Sequence, residues 1–450
     1  MELLNKTDID MKFKWIILCC VAAFFSGCDQ QNKQENKVHI YGTIEEQTGK
    51  VVEMSFNGAA SDFGTSRNMM LQVDATGHFD TTFYLDKPEY FNIERNTIYL
   101  TPGDELECKI CSSNSSESVF SGKGYEANMY MRHRLFPKGG SFLEGGRNIF
   151  ADFSKMKDYI LTQAAQRKKE LESLVNVSSD FKKLEFGRIT ADIINSFDFY
   201  PSYAPLRLKE KREKCVARVD SIRYFLDSLA LTLNEEYLLD VAVVRQLVKK
   251  HKGLNWCPAI QEWLHIGNLS RKIGNNMHVD TLERVTKEIS LITREDYRDE
   301  LYFAINQVKG MLPGSPVVDV ALKTTDGKEI KLSDLKGKIL YLDFWATWCG
   351  PCCYEAPFFE QLAEKFVGED IEFISISIDE DMEKWLAYLQ KDEKKTMQYN
   401  SLDPVLKEKW NIRGIPRFVL IDSDFKILNP DAPRPSDKGT EQYLRELIQK

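Results

Sequence analysis

The chain is predicted to be a multidomain protein with an antiparallel β domain, sandwich-like, over 38–122, an α-helical region over 123–311 and a C-terminal α/β domain over 312–450. Three observations carry that division. Short alternating runs broken by Gly- and Pro-containing turns fill the first stretch, helical periodicity fills the second, and in the third a strand runs directly into an amphipathic helix. With 43% hydrophobic residues, the 450-residue chain can bury several cores. A net charge of −8 spread over this length argues against nucleic acid as a partner. Ten cysteines are too sparse for a disulfide-stapled scaffold.

Ahead of the first domain, Trp15 to Phe25 is the one strongly apolar run, and its 11 residues fall short of the ~20 that span a bilayer as a helix. Lys12 and Lys14 precede it and Ser26-Gly27 follow, the order of an export signal over 1–27, with Met11 read as the true start. The polar, unpatterned stretch 28–37 reads as a tether. Phe25-Ser26-Gly27-Cys28 resembles the lipobox of bacterial lipoproteins. That resemblance implies a lipid anchor on Cys28 and a place in the bacterial cell envelope, on the periplasmic side. A plain secretory signal beside an incidental cysteine is the other reading.

In the β domain, 38–44 and 79–85 alternate apolar and polar residues, and Asn57-Gly58, Thr76-Gly77 and Pro102-Gly103-Asp104 supply turns. This order of features resembles the β-rich domain of unknown function that precedes thioredoxin-like domains in many bacterial lipoproteins. Helical periodicity then covers 151–175, 180–199, 206–231, 235–250, 280–291 and 294–311. Asn234 and Thr293 are expected to cap two of these helices, and the glycines at 139, 140, 145 and 146 make a loop before the first. The Met, Phe and Tyr residues at helical spacing read as packing. Leu312-Pro313-Gly314-Ser315-Pro316 ends the helical region.

About 0.2 C-x-x-C pairs are expected by chance at this cysteine content, and two are present, so context must separate them. Cys108 and Cys111 fall in an apparent strand, where three residues of rise hold the Cα atoms ~10 Å apart, too far to pair without distortion. They read as packing cysteines. Cys349 and Cys352 span the first turn of a helix, which lets both sulfurs approach on one side. The free backbone N–H groups of that turn favour a thiolate on Cys349. Lowering a thiol from ~8.5 to ~7 needs only ~2 kcal/mol of differential stabilisation.

The segment from Leu342 through Asp343, Trp348, Cys349, Gly350, Pro351 and Cys352 resembles the active-site segment of thioredoxins. Pro357 falls where thioredoxins kink the following helix, and Gly414-Ile415-Pro416 precedes a strand as their cis-proline loop does. The stretch from Pro313 through Asp326-Gly327-Lys328 to Lys338 resembles the exported TlpA/ResA-like branch. The resemblance implies a thioredoxin fold over 312–450 and thiol-disulfide exchange. Cys349 would be the nucleophile, Cys352 the resolving thiol and Asp343 the buried carboxyl that assists its proton transfer. Pro416 would be cis, freeing the Ile415 backbone to pair with an extended substrate; Trp348, which would also shield the sulfurs, and Gly350-Pro351 would complete the docking face. No cofactor is implied beyond the protein's own disulfide. The implied partners are thiols and disulfides of exported proteins and a membrane electron-transfer partner that re-reduces the pair.

Several departures bear on that reading. Ser375 stands where thioredoxins carry a lysine beside the buried aspartate, Cys353 is an extra thiol, and Glu355, which recurs in the exported branch, is equally accounted for as a solvated helix carboxylate. Peroxidase chemistry is disfavoured because Leu342 and Ala346 occupy the positions of the Pro and Thr that shape a peroxidatic pocket. None of the six histidines lies beyond His278, which removes a Cys-His hydrolase from this domain, and Cys349, Cys352 and Cys353 lack a fourth metal ligand. Seven cysteines besides Cys28 follow the signal, so at least one is unpaired or intermolecular; Cys215 and Cys257 could bridge helices. The rival reading is a binding lipoprotein whose β and helical regions hold a partner, with redox activity secondary.

Overall fold

The computed structural model describes residues 36–133, 140–274, 279–390, 396–412 and 414–449. The expected export signal with Met11, the lipidation site Cys28 and nearly all of the tether lie outside these residues, as do Gly139 and His278. The chain forms two compact units, Met1–His265 and Ile266–Lys450.

The first unit begins with β1 (Lys37–Ile44), β2 (Val51–Phe56), β3 (Met69–Gln72), β4 (His78–Tyr84), β5 (Glu89–Ile93), β6 (Asn96–Leu100), β7 (Glu105–Ile110) and β8 (Val119–Lys123). They build two four-stranded sheets of order β4-β1-β7-β8 and β3-β2-β5-β6. Alternation works as the sequence implies: Val38, Ile40 and Ile44 of β1 point inward, and Phe83 of β4 meets Phe91 of β5 across the sheets with ring centroids 6.0 Å apart. The domain is not purely antiparallel, however, because β1 and β7 pair in parallel. The long connection between them returns the chain to the same end of the sheet, and side-chain alternation carries no information about strand direction.

The helices that follow are α1 (Tyr125–Met131), α2 (Phe153–Ser173), α3 (Ser179–Leu208), α4 (Arg212–Asp220), α5 (Arg223–Leu231), α6 (Ala242–Lys250) and α7 (Pro258–Ser270). Four expectations need correction. Helix α3 continues past 199 with Pro201 and Pro205 inside it, and the single helix expected over 206–231 is broken between α4 and α5. The stretch expected to be helical from 235 starts as a 3-10 turn, Glu236–Asp240, before α6. Helices α1 and α7 were not anticipated. Asn234 does not cap the segment after it: its Oδ1 accepts from the Cys257 N–H at 2.6 Å, just before α7. A side chain satisfies whichever free amide reaches it in space, here across a loop.

Buried polar contacts tie the β region, its strands and the turn after β2, to these helices. The Tyr90 hydroxyl of β5 donates to Glu185 of α3 at 2.6 Å, and the Arg188 guanidinium donates to the same carboxylate at 2.9 Å. Arg245 of α6, itself buried, donates to the Asn57 side-chain oxygen at 2.7 Å, and the Trp263 indole of α7 donates to the Ala59 carbonyl at 3.0 Å. Each removes a buried group that would otherwise carry an unmet desolvation cost.

The second unit contains α8 (Val279–Ser290), α9 (Glu295–Lys309), β9 (Ala321–Thr324), β10 (Glu329–Lys331), β11 (Ile339–Trp345), α10 (Gly350–Glu364), β12 (Ile371–Ser377), α11 (Met382–Leu389), β13 (Met397–Asn400), α12 (Val405–Glu408), β14 (Arg417–Ile421), β15 (Ile427–Asn429) and α13 (Thr440–Ile448). Thr293 is not the cap of α9; Arg294 holds that position without a capping side-chain bond. The seven strands form one sheet of order β10-β9-β13-β12-β11-β14-β15. Central β11 runs parallel to β12 and antiparallel to β14, and both of its faces are buried. Leu340, Leu342 and Phe344 pack with Ile374, Ile376 and Trp410 on one face, while Tyr341 packs with Phe359, Phe373 and Phe418 on the other. Asp343 shares the period-two face of Tyr341, so a carboxyl is carried into an aromatic core. Among the described residues, no helix is long and apolar enough to cross a membrane.

Candidate active site

The C-terminal end of β11 and the first turn of α10 bring the site together. Strand β11 ends at Trp345, and α10 starts at Gly350 with Pro351 in its first turn, where a proline's fixed φ and missing N–H cost nothing. Cys349 is the N-cap residue. Its sulfur accepts from the Cys352 N–H at 3.2 Å, and the two cysteines are joined in a disulfide with Cα atoms 5.2 Å apart. On reduction, the same N–H and the positive end of α10 would stabilise a Cys349 thiolate.

The two sulfurs are not equivalent. Cys349 is 6% exposed and Cys352 1%, so an incoming group meets the edge of Cys349 first. Both pack in an apolar cluster with Trp345, Ala346 and Trp385, against which Ile415 also lies. The Ile415–Pro416 peptide is cis. Trp348, expected to shield the sulfurs, is 68% exposed, and the neighbouring apolar packing comes from Trp345 and Trp385 instead. Sequence reasoning missed Trp385 because nothing in the spacing links α11 to the cysteines, and it assigned the shielding to Trp348 rather than to Trp345 at the end of β11.

The turn before Cys349 is anchored by Asp379, also missed. Its carboxylate accepts from the Thr347 N–H at 2.9 Å and from the Thr347 hydroxyl at 2.7 Å, and the Ser377 hydroxyl donates to it at 2.7 Å. Cys353 is half-buried, with its thiol 3.8 Å from the Thr347 carbonyl. Cys108, Cys111, Cys215 and Cys257 are free thiols, and burial pushes the Cys108 thiol up to about 12.

Asp343 is buried, and its Oδ1 finds no hydrogen-bond partner among the described residues. Desolvation holds its carboxyl well above the usual carboxylate range, and the nearby charges of Glu355 and Glu360 push the same way. In the β11–β12 register its neighbour is Ser375, so no cation answers it from that strand. Glu355 is not a solvated carboxylate: it is 2% exposed and accepts from the Ser436 N–H at 3.1 Å and its hydroxyl at 2.9 Å. The fold after α10 brings Ser436 over a position that helical periodicity alone leaves ambiguous. Among the described residues there is no cluster of three His, Cys, Asp or Glu side chains placed to hold a metal ion.

Residues 312–444 match the Redoxin family. The chain is 28% identical over 141 residues to the thiol-disulfide oxidoreductase ResA of Bacillus anthracis, covering 30% of this chain and 78% of that protein. It is 28% identical over 145 residues to the thioredoxin-like protein YneN of Bacillus subtilis (strain 168), covering 30% of this chain and 80% of that one. Among solved structures, that of a candidate thiol-disulfide oxidoreductase from Bacteroides vulgatus is 47% identical, covers 31% of this chain and 98% of its own, and superposes with a TM-score of 0.30. The C-terminal region is therefore a thioredoxin-like thiol-disulfide oxidoreductase domain of the Redoxin family. Domains of this kind work through their own redox-active disulfide and need no external cofactor.

Proposed function

We propose that this chain is an exported, membrane-tethered protein thiol-disulfide oxidoreductase of the TlpA/ResA-like branch that reduces disulfides in exported proteins through Cys349 and Cys352. The observation that carries the reading is the asymmetric Cys349–Cys352 disulfide at the N-terminus of α10, beside the cis Ile415–Pro416 bond. In the reducing direction the Cys349 thiolate attacks a client disulfide, and one client sulfur leaves as a thiolate. Cys352 then attacks Cys349, releases the second client sulfur and restores the protein's disulfide. Asp343, in its ionised form, takes the proton from Cys352; burial raises its affinity for that proton above that of an ordinary carboxylate. The Ile415 backbone, Trp348 and the Gly350-Pro351 turn form the client-docking face, with the client added as an extended segment.

The basic, apolar and small-residue order of 12–27 and the position of Cys28 support export and lipid anchorage in a bacterial envelope, facing the periplasm. A reductase there draws electrons from a membrane partner. The Gly350-Pro351 pair and Ile415 before the cis proline favour the reducing direction. Two assays test the proposal. Insulin-disulfide reduction with dithiothreitol is expected for the wild type and lost in Cys349→Ser, while Cys352→Ser is expected to retain clients as mixed disulfides. Absence of wild-type activity, or none lost in Cys349→Ser, transfers the function to the β and helical regions as a partner-binding lipoprotein.

A further inference from the structure

One helical turn along α10 from the disulfide lies a small cavity of about 10 Å3, lined by Asp343, Trp345, Ala356, Glu360, Ser375 and Gln398 among others. That is room for about one water molecule. Three of these residues carry a buried polar atom with no hydrogen-bond partner among the described residues: Asp343 Oδ1, Trp345 Nε1 and Gln398 Oε1. An indole N–H donor, an amide oxygen and a carboxyl around one small space are the two to four polar partners that hold an internal water. Gln398 is oriented for this, since its amide nitrogen donates to the Thr396 hydroxyl at 2.8 Å and leaves the amide oxygen for the cavity side.

Glu360 is the residue that links this space to the surface. Cys352, Ala356 and Glu360 follow one another at four-residue intervals on one face of α10. Glu360 is half-buried, and its Oε1 accepts from the Thr396 hydroxyl at 2.7 Å, which fixes the side chain beside the cavity. We infer that a water in this cavity passes the Asp343 proton to Glu360, which makes Glu360 the outer carboxylate of the path by which Cys352 loses its proton. The inference rests on the dithiol reading above and adds a residue to it.

The Glu360 carboxylate takes the Asp343 proton through the water, and the Asp343 carboxylate so formed takes the proton of the Cys352 thiol. The Cys352 sulfur then bonds to Cys349, the bond between Cys349 and the client breaks, and the client sulfur leaves with the electron pair and is protonated by solvent. The groups that face Asp343 are consistent with such a route: Glu355 and Glu360 from α10, Tyr341 on its own strand, Tyr388 from α11, Ser375 from β12 and Gln398 from β13. Burial and the two glutamates keep Asp343 protonated above the ordinary carboxylate range, so the acceptor must be emptied before Cys352 can use it.

The test follows both steps in the full chain. Reduced protein is mixed with an aryl disulfide whose thiolate is coloured: the first release reports attack by Cys349, and the second, absent in Cys352→Ser, reports attack by Cys352. Glu360→Gln is expected to leave the first release unchanged, slow the second about tenfold at neutral pH and move its pH midpoint downward. Glu360→Asp should regain part of the rate, and Thr396→Val, which removes one hydrogen bond to Glu360 and keeps its carboxylate, should give an intermediate loss. Glu369→Gln, an exposed carboxylate beyond α10, should match the wild type. If Asp343→Asn slows the second release while Glu360→Gln and Thr396→Val both keep the wild-type rate and midpoint, Glu360 has no part in the path and the dithiol reading stands. If the wild type shows no second release at all, the dithiol reading itself falls.

Discussion

A carboxyl inside an aromatic core sets the pH behaviour of this domain. Asp343 is ionised freely in the unfolded chain near its ordinary value of 3.8, whereas in the fold desolvation, then Glu355 and Glu360, hold it protonated to higher pH. A folded-state pKa raised in this way contributes stability that is complete below the unfolded value and is lost as pH rises through the folded one. Asp343→Asn is therefore expected to be more stable than wild type, by a margin that grows at up to ~1.4 kcal/mol per pH unit between those two values and then levels off. Urea unfolding across that range measures it, and a margin constant with pH would contradict the assignment. At this scale the sequence was most informative. The strand position of Asp343, the helix-start position of Cys349 and Cys352 and the cis bond before Pro416 are where the sequence places them, because each follows from its immediate neighbours in the chain. Glu360 and Asp379 were not, because each acts across the space between elements that no spacing rule joins.

Among elements, the turn between β11 and α10 is held from outside. Thr347 has its N–H and hydroxyl on the Asp379 carboxylate, and Ser377 completes the set at the end of β12. Asp379→Ala leaves these donors unmet in a buried place and is expected to cost about 1–3 kcal/mol. It should also slow insulin reduction, since the N-cap position of Cys349 depends on that turn; Asp379→Asn should lose less of both. A second close fit lies in the first unit. Gly42 of β1 has φ 139°, and a Cβ there would overlap the Cys108 carbonyl oxygen of parallel β7. Gly42→Ala is expected to destabilise the first unit by about 2–4 kcal/mol in a denaturant titration, through strain and overlap together. Strand alternation was readable from sequence, yet the parallel β1–β7 pairing that creates this constraint was not. Likewise the periodicity found most helices but misplaced their breaks, because α3 tolerates Pro201 and Pro205 while the chain turns at Ser221-Ile222 without a proline or glycine.

Over the whole molecule, chemistry and remaining architecture separate cleanly in the chain. Residues 312–444 carry the family match, the disulfide and the buried carboxyl. The strands of the β region and the helices as far as His265 within α7 form a unit stitched by Tyr90, Glu185, Arg188 and Arg245. Composition holds no signal for that stitching, which depends on polar side chains that pair only once the chain has folded. The most direct measurement is an equilibrium redox titration of the full chain in dithiothreitol buffers, with every thiol mapped by alkylation and mass spectrometry. The account predicts that Cys349 and Cys352 change together as one two-electron couple, and that in the reduced protein Cys349 is alkylated first and at a pH below that of an ordinary cysteine. A pair that stays locked through the titration, or a Cys349 no more reactive than Cys353, would contradict it.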